Sequence, residues 1–467
     1  MAYDYIDLRP GSGPLYGRLY EALKRAIESG RLAKGSRVPS IRKLSEDLGL
    51  SRTTIESAYQ QLSVEGYIKS EPQRGYFVIF GSRPLSPPSR GDRRLPPPAF
   101  LSHIRFDLGT DRIDASHADL KLWKRHIREI LTRQDLLISY GDPQGEPALR
   151  EALSAYAYRL RGVAAEPENI VVAAGTQPLL SIVCGLTRRK KVALEEQGFR
   201  QAEQVFADCG MEICFLPSDG AGPSLSHLQE SGAKLVYVNP SHTSGTAGAV
   251  PMSRRYELLA WARETGSLII EDDYNGELRY NARPIPALQG LGENQPVVYL
   301  GSFSKLLLPS VRISYMALPQ ELASLYRRRA SNYNQTASKT EQLALASYIG
   351  SGQMERHLRR LRKLYGEKSQ SIMRALRAAF PHIPFALQET ALYCSFSLPE
   401  ALAESLVHSA EEGGIRLRYR REGRRAAMVI GFAGTPLEDI PAAVEALKTV
   451  WEPFRKELES LGGREAR

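Results

Sequence analysis

Cysteine is scarce: there are four in 467 residues, Cys184, Cys209, Cys214 and Cys394. None form a Cys-x-x-Cys pair, and no His/Cys cluster has zinc spacing, so a disulfide-framed or zinc-ribbon protein is excluded and no metal site is expected. Free, buried thiols in a reducing cytoplasm are the expected state. Long hydrophobic runs are missing as well. None approaches the roughly 20 residues that span a bilayer, so no membrane partner is expected. Residues 1–8 carry Asp4 and Asp7 and no apolar core, unlike a signal peptide. A large overall excess of one charge is also lacking. The chain holds 62 Lys/Arg against 52 Asp/Glu, a net +10, which favours an anionic partner such as nucleic acid. The first eighty residues hold only twelve Lys/Arg against nine Asp/Glu, a net +3. Any nucleic-acid specificity there rests on placed residues, not on a general basic field.

What is present is ample apolar material, 42% of residues, and a length that calls for two or three domains. Leu15, Leu19, Leu23 and Ile27 recur at four-residue spacing, one face of a helix. Pro14 suits its first turn and Gly30 its end. Ser40 is placed to cap a second helix with Ile41, Leu44 and Leu48 inward, and Gly49 stops it. Ser51 caps a third, with Ile55, Ala58, Tyr59 and Leu62 inward. Two short β runs, 67–69 and 76–78, flank the hairpin signal at 71–75. Three helices and a hairpin make a winged helix-turn-helix. Its third helix would enter the major groove with Ser51, Arg52, Thr53 and Thr54 foremost. Arginine reads guanine, and hydroxyls reach phosphates or bases. Arg42 is placed for a phosphate, and Arg74 and Gly75 sit at the wing tip.

Residues 81–104 change character. Six prolines alternate with Arg83, Arg90, Arg93 and Arg94, without period, as in a semi-rigid solvated tether.

From residue 105 apolar β runs alternate with helical patterns, which predicts an α/β domain with a mostly parallel sheet covered on both faces. Strands are expected at 170–174, 191–194, 235–238, 268–270, 297–300 and 313–317. Ligands in such sheets bind at the carboxyl ends of the strands, and the chemically notable residues fall there. Gly175-Thr176-Gln177 opens a helix whose free N–H groups suit a phosphate. Phe199 follows the next strand, as an aromatic able to stack on a planar ring. His242 follows the third and Asp272-Asp273-Tyr274 the fourth. Then come Ser302, Ser304, Lys305 and Arg312. A lysine can form a Schiff base with an aldehyde, hydroxyls and a guanidinium can hold a phosphate, and pyridoxal 5'-phosphate (PLP) has both groups. An aspartate paired with its pyridine nitrogen makes the ring an electron sink.

Two resemblances follow from these residues. Pro14-Leu15-Tyr16, Val38-Pro39-Ser40, Leu48 to Thr54 and Glu65-Gly66-Tyr67 resemble the GntR family of bacterial transcription regulators. That implies that Arg42, Arg52, Thr53, Thr54 and the wing contact double-stranded operator DNA; Glu56 departs from an arginine seen in some relatives. Residues 105–450 resemble fold-type I aminotransferases. Tyr140 to Gly145 look like that family's early segment, whose tyrosine reaches the phosphate of the partner subunit's PLP. The resemblance implies a Schiff base at Lys305, Asp272 on the ring nitrogen, and Tyr274 and His242 at the ring oxygen. It further implies Ser302, Arg312 and the 175–177 turn on the phosphate, with Phe199 stacked.

A winged helix fused to such a domain resembles the MocR/GabR subfamily. That organisation divides the chain into a DNA-binding domain at 1–80, a linker at 81–104 and a PLP-binding effector domain at 105–467. It implies a cytoplasmic homodimer with exchanged winged helices that senses PLP or an amino compound. The family's substrate-carboxylate arginine aligns with Val429, and Gln201 stands where GabR-like proteins carry another arginine. Arg416, Arg418 and Arg420 are the possible substitutes. The residues for PLP are retained while those for an amino-acid substrate are depleted, which favours PLP itself as effector and vitamin B6 metabolism as a target. The alternative is an active aminotransferase with an appended DNA-binding module.

Overall fold

The structure is a computed structural model. It describes residues 3, 5–8, 13–81, 104–110, 112–114, 119–196, 198–242, 249–280, 284–388, 390, 392–422 and 425–463, so the linker lies almost wholly outside the described residues. The chain divides into two compact units, residues 1–100 and 101–467.

The first unit has helices Leu15–Glu28, Ile41–Leu48 and Arg52–Val64, then an antiparallel hairpin of Ile68–Glu71 with Gly75–Val78. The four-residue apolar spacing puts Leu19, Leu23 and Ile27 in one core with Leu44, Ile55, Tyr59 and Leu62, all buried. Burying each such side chain contributes about 1.5–3 kcal/mol, enough to hold short helices that are marginal alone. Both expected caps form. Ser40 accepts from Lys43 N at 3.3 Å and Ser51 from Thr54 N at 3.2 Å, and Gly49 ends its helix at φ 64°, a left-handed turn open to glycine.

The second unit is built on a seven-stranded sheet. Its order is Ile170–Ala173, Ser314–Ala317, Val297–Ser302, Leu268–Asp272, Leu235–Val238, Lys191–Glu195, Glu212–Leu216. All strands are parallel except Ser314–Ala317, which is antiparallel to both neighbours. Alternate residues feed different cores: Leu268 and Ile270 pack on one face, Ile269 and Val297 on the other. A sheet covered on both faces needs runs such as Leu268-Ile269-Ile270 rather than alternation. The edge strand Glu212–Leu216, half exposed and with only the short run Ile213-Cys214-Phe215-Leu216, was not among the expected strands.

A four-stranded antiparallel sheet also lies outside the sequence expectations. It runs Ala386–Gln388, Tyr393–Pro399, Arg425–Gly431, Arg418–Glu422 and follows the long helix Gln353–Ala379. Residues Phe106–Asp107 pair in parallel with Ile415–Arg416, so the chain leaving the linker is anchored to this part of the unit. The expectation of four buried thiols is corrected: only Cys394 is buried, Cys184 and Cys214 are half-buried, and Cys209 is exposed.

Candidate cofactor cleft and DNA-facing helix

Because the parallel strands share one direction, their carboxyl ends share one edge, and a cleft of about 630 Å³ opens there. Gly175, Thr176, Gln177, Phe199, His242, Asp272, Tyr274, Ser302, Ser304, Lys305 and Arg312 all line it. Residues spread over more than 130 positions meet because they stand at or after the carboxyl ends of parallel strands or, for Arg312, just before the antiparallel strand Ser314–Ala317. Tyr140 is the exception: it is fully exposed and does not line the cleft of its own chain.

At the phosphate-type end, Gly175 caps the helix Thr176–Thr187 at φ 103°. A Cβ there would lie 2.6 Å from Arg312 Nη2, so glycine is needed both for the backbone and for the guanidinium beside it. Arg312 is itself left-handed at φ 51°, which is costly for a non-glycine residue and persists only where the surroundings enforce it. The Ser302 and Ser304 hydroxyls lie 3.1 Å apart. Helix N–H groups, two hydroxyls and a guanidinium form a donor set for a phosphate.

The three consecutive acids after Leu268-Ile269-Ile270 have three fates. Glu271 is buried and accepts from Leu288 N at 2.7 Å and Gln289 N at 3.1 Å. Asp273 is fully buried against Arg161, with Ser241 Oγ at 2.7 Å and Tyr299 OH at 2.8 Å completing its shell. Those bonds are what make a buried ion pair tolerable, and they hold the Asp273 carboxyl below its usual range. Asp272 alone reaches the cleft. It accepts from Tyr237 OH, and burial pushes it up to about 6. Among the described residues none of the groups acting on it is a cation. A buried carboxylate without a cation is costly, and a protonated ring nitrogen would supply one.

Lys305 is buried, and its Nζ donates to the carbonyls of Thr110 and, at 3.4 Å, Arg112. His242 Nε2 lies 3.1 Å from Tyr393 OH, and burial with the nearby Arg420 charge lowers it to about 4. It is therefore neutral near pH 7. Val429 faces the cleft beside Tyr393. Of the three possible substitutes for a cation there, Arg416 is held by Asp107 at 3.5 Å, whereas Arg418 and Arg420 line the cleft. Arg418 is the cross-strand partner of Val429, so their side chains share one face. Arg420 is held by Glu422 at 2.8 Å.

Sequence reasoning missed Tyr237, Glu195, Tyr393 and Thr110, which also line the cleft, as does Asn239 of the strand-end stretch 239–242. For Tyr237 a signal existed: a tyrosine in an otherwise aliphatic buried strand needs a partner for its hydroxyl. The others carried none.

In the first unit, Arg52, Ser51 and Thr53 are exposed at the start of their helix. The Ser51 hydroxyl is engaged as the cap and with Thr53 and Thr54 at 3.0 and 2.7 Å. Arg42 is exposed and pairs with Glu46 at 3.0 Å; Arg74 pairs with Glu71 at 2.6 Å and lies over Phe77. Gly75 turns the wing at φ 104° with Arg37 against it.

Residues 15–78 match the family described as bacterial regulatory proteins, gntR family, and residues 104–447 match aminotransferase class I and II. The chain is 36% identical to the uncharacterized HTH-type transcriptional regulator YhdI of Bacillus subtilis, over 94% of this chain and 96% of that one. It is 33% identical to the probable rhizopine catabolism regulatory protein MocR of Rhizobium meliloti, over 95% of each. This chain belongs to the MocR subfamily of GntR-type transcription regulators. The large unit also superposes on an archaeal alanine:glyoxylate aminotransferase with a TM-score of 0.67 at 23% identity, covering 74% of this chain and 91% of that one. That likeness establishes a fold-type I aminotransferase fold, whose members typically bind PLP. In this MocR-type chain the regulator module and the aminotransferase-like module are consecutive, and among the described residues no helix is long and apolar enough to cross a membrane.

Proposed function

We propose that this protein is a cytoplasmic, homodimeric transcription regulator that binds operator DNA through residues 1–80 and PLP in the cleft of residues 105–467, with 81–104 as the coupling linker. The observation that carries the reading is the convergence of Lys305, Asp272, Arg312 and the 175–177 turn in one cleft of a chain that begins with a winged helix. These residues fit PLP. The glycine cradle at Gly175 leaves room for Arg312 beside a phosphate, and Asp272 is a buried carboxyl that lacks a cation. When bound, PLP supplies an aldehyde for a primary amine and an electron-withdrawing ring.

The chain's own residues do the rest. Thr176, Gln177, Ser302, Ser304 and Arg312 hold the phosphate, and Phe199 covers the ring. His242 and Tyr274 orient the ring oxygen, and Asp272 keeps the ring nitrogen protonated. Tyr140, exposed on its own subunit, serves the partner's site. The effector is PLP itself or an amino compound. Val429 offers no charge to a carboxylate, so a carboxylate in this cleft depends on Arg418 and Arg420, the latter already shared with Glu422. Ordinary α-amino acids therefore bind poorly and turn over slowly, since holding the reactants in geometry accounts for several kcal/mol of a barrier.

The test compares cofactor-free and PLP-loaded protein on promoter DNA, then adds amino acids while following cofactor absorbance. A ligand shifts the regulator only by its differential affinity for two states, so DNA affinity should differ between forms. Rapid multiple-turnover transamination with a 2-oxo acid would instead make the protein an enzyme with an appended DNA-binding module.

A further inference from the structure

The net charge of the large unit conceals a segregation. Residues 105–467 hold 46 Lys/Arg against 42 Asp/Glu, a net +4. Two helices break that balance. In Leu120–Leu131 the residues Lys121, Lys124, Arg125 and Arg128 are exposed, while Trp123 and His126 point into the core. In Gln353–Ala379 the residues Arg356, Arg359, Arg360 and Lys363 are exposed, while Met354, His357, Leu358 and Leu361 are buried. Both sets follow the i, i+3, i+4, i+7 spacing that lines one face of a helix. Eight cations thus stand on two outward faces, and the rest of residues 105–467 carries 38 Lys/Arg against 42 Asp/Glu, a net −4.

The two faces are joined. Arg360 Nη2 bonds Asp119 Oδ2 at 2.6 Å, and Asp119 stands at the start of the first helix. The acids nearby do not cancel the field. Arg125–Glu129 and Lys363–Glu367 are solvent-exposed pairs, and such pairs leave most of each charge to solvent and to outside partners; Arg360 is held more closely, by the half-buried Asp119. Among the described residues Lys121, Lys124, Arg128 and Arg359 have no ion-pair partner. None of the eight lines the cofactor cleft.

Fold stability does not require this pattern, since like charges at i, i+4 oppose a helix. Each stripe extends about 10 Å along its helix. A DNA duplex carries about six phosphate charges over that length, more than one stripe can neutralise.

We infer that the two basic stripes form a second, sequence-independent DNA-backbone surface on the aminotransferase-like unit, separate from the winged helix. This rests on the reading of the chain as a DNA-binding protein. The stripes add counterion release without base contacts, so they strengthen binding to any duplex long enough to reach them.

The test uses the full chain and a 60-base-pair duplex of arbitrary sequence, titrated at several salt concentrations. Two stripe variants are needed: Lys121→Gln with Lys124→Gln, Arg125→Gln and Arg128→Gln, and Arg356→Gln with Arg359→Gln and Lys363→Gln. Arg360 is retained because it holds Asp119. A control, Lys448→Gln with Arg455→Gln and Lys456→Gln, removes exposed cations elsewhere. Circular dichroism confirms folding of each. The slope of log affinity against log salt changes by about 0.9 per phosphate contact. Each stripe variant should therefore lose about 2–4 units of slope and at least tenfold in affinity, with the control near the parent. Stripe variants that match the parent overturn the inference while leaving the winged-helix reading intact. An equal loss in the control reduces the effect to net charge and also overturns it. Failure of the parent to bind any duplex overturns both readings.

Discussion

Lys305 Nζ donates to the backbone carbonyl of Thr110, 195 residues earlier in the chain, and reaches the carbonyl of Arg112 as well. Thr110 and Arg112 lie just after Phe106–Asp107, where the chain leaving the linker joins the large unit. An amine that becomes covalently attached to an aldehyde cannot keep donating two such bonds. Attachment of an aldehyde at Lys305 would therefore break at least one contact to the segment that continues into the linker.

Lys305→Ala should abolish the cofactor's visible absorbance and leave the protein folded. The loss of two hydrogen bonds costs about 1–3 kcal/mol, well within the stability of a large domain. Borohydride reduction of the loaded parent, followed by peptide mass mapping, should place the cofactor on the peptide containing Lys305. A reduced adduct on another lysine would refute the assignment.

Gly175→Ala places a methyl group against the Arg312 guanidinium and strains a φ of 103°. Affinity for PLP should fall at least tenfold, about 1.4 kcal/mol, while affinity for pyridoxal, which has no phosphate, changes little. Equal losses for both ligands would show that Gly175 shapes the cleft as a whole.

His242 has a folded pKa of about 4, below its ordinary 6.5. The unfolded chain therefore binds the extra proton between those values. The stability contributed by neutral His242 is complete above about pH 6.5 and is lost as pH falls toward 4, up to about 3 kcal/mol. Urea unfolding of cofactor-free His242→Gln at pH 7.0, 5.5 and 4.5 should show a shallower acid loss than the parent. Parallel curves would contradict this.

Arg52 stands exposed at the start of its helix and Arg42 at the start of the preceding one. Arg52→Ala should cost about 1–3 kcal/mol on operator DNA and little on scrambled DNA if it reads a base. Arg42→Ala should weaken both alike and lower the salt slope. Its exposed pair with Glu46 contributes little to stability, so folding should be unaffected. Equal loss on both DNAs for Arg52 would make it a phosphate contact.

The sequence by itself determined the winged helix, because its signals are local. Apolar spacing at four residues, Ser40 and Ser51 as caps and Gly49 as a stop act within a turn or two of chain. It likewise determined that residues after 170 alternate strand and helix, and that chemical groups stand at strand ends. Tertiary structure decided the rest. Only sheet order brings Tyr237 to Asp272, and only the pairing of Arg418–Glu422 with Arg425–Gly431 places Arg418 beside Val429. The adjacent acids Glu271, Asp272 and Asp273 are alike in sequence, yet one meets backbone amides, one the cleft and one Arg161. Which environment each side chain meets depends on partners tens to hundreds of residues away, brought near by folding. No local periodicity encodes that.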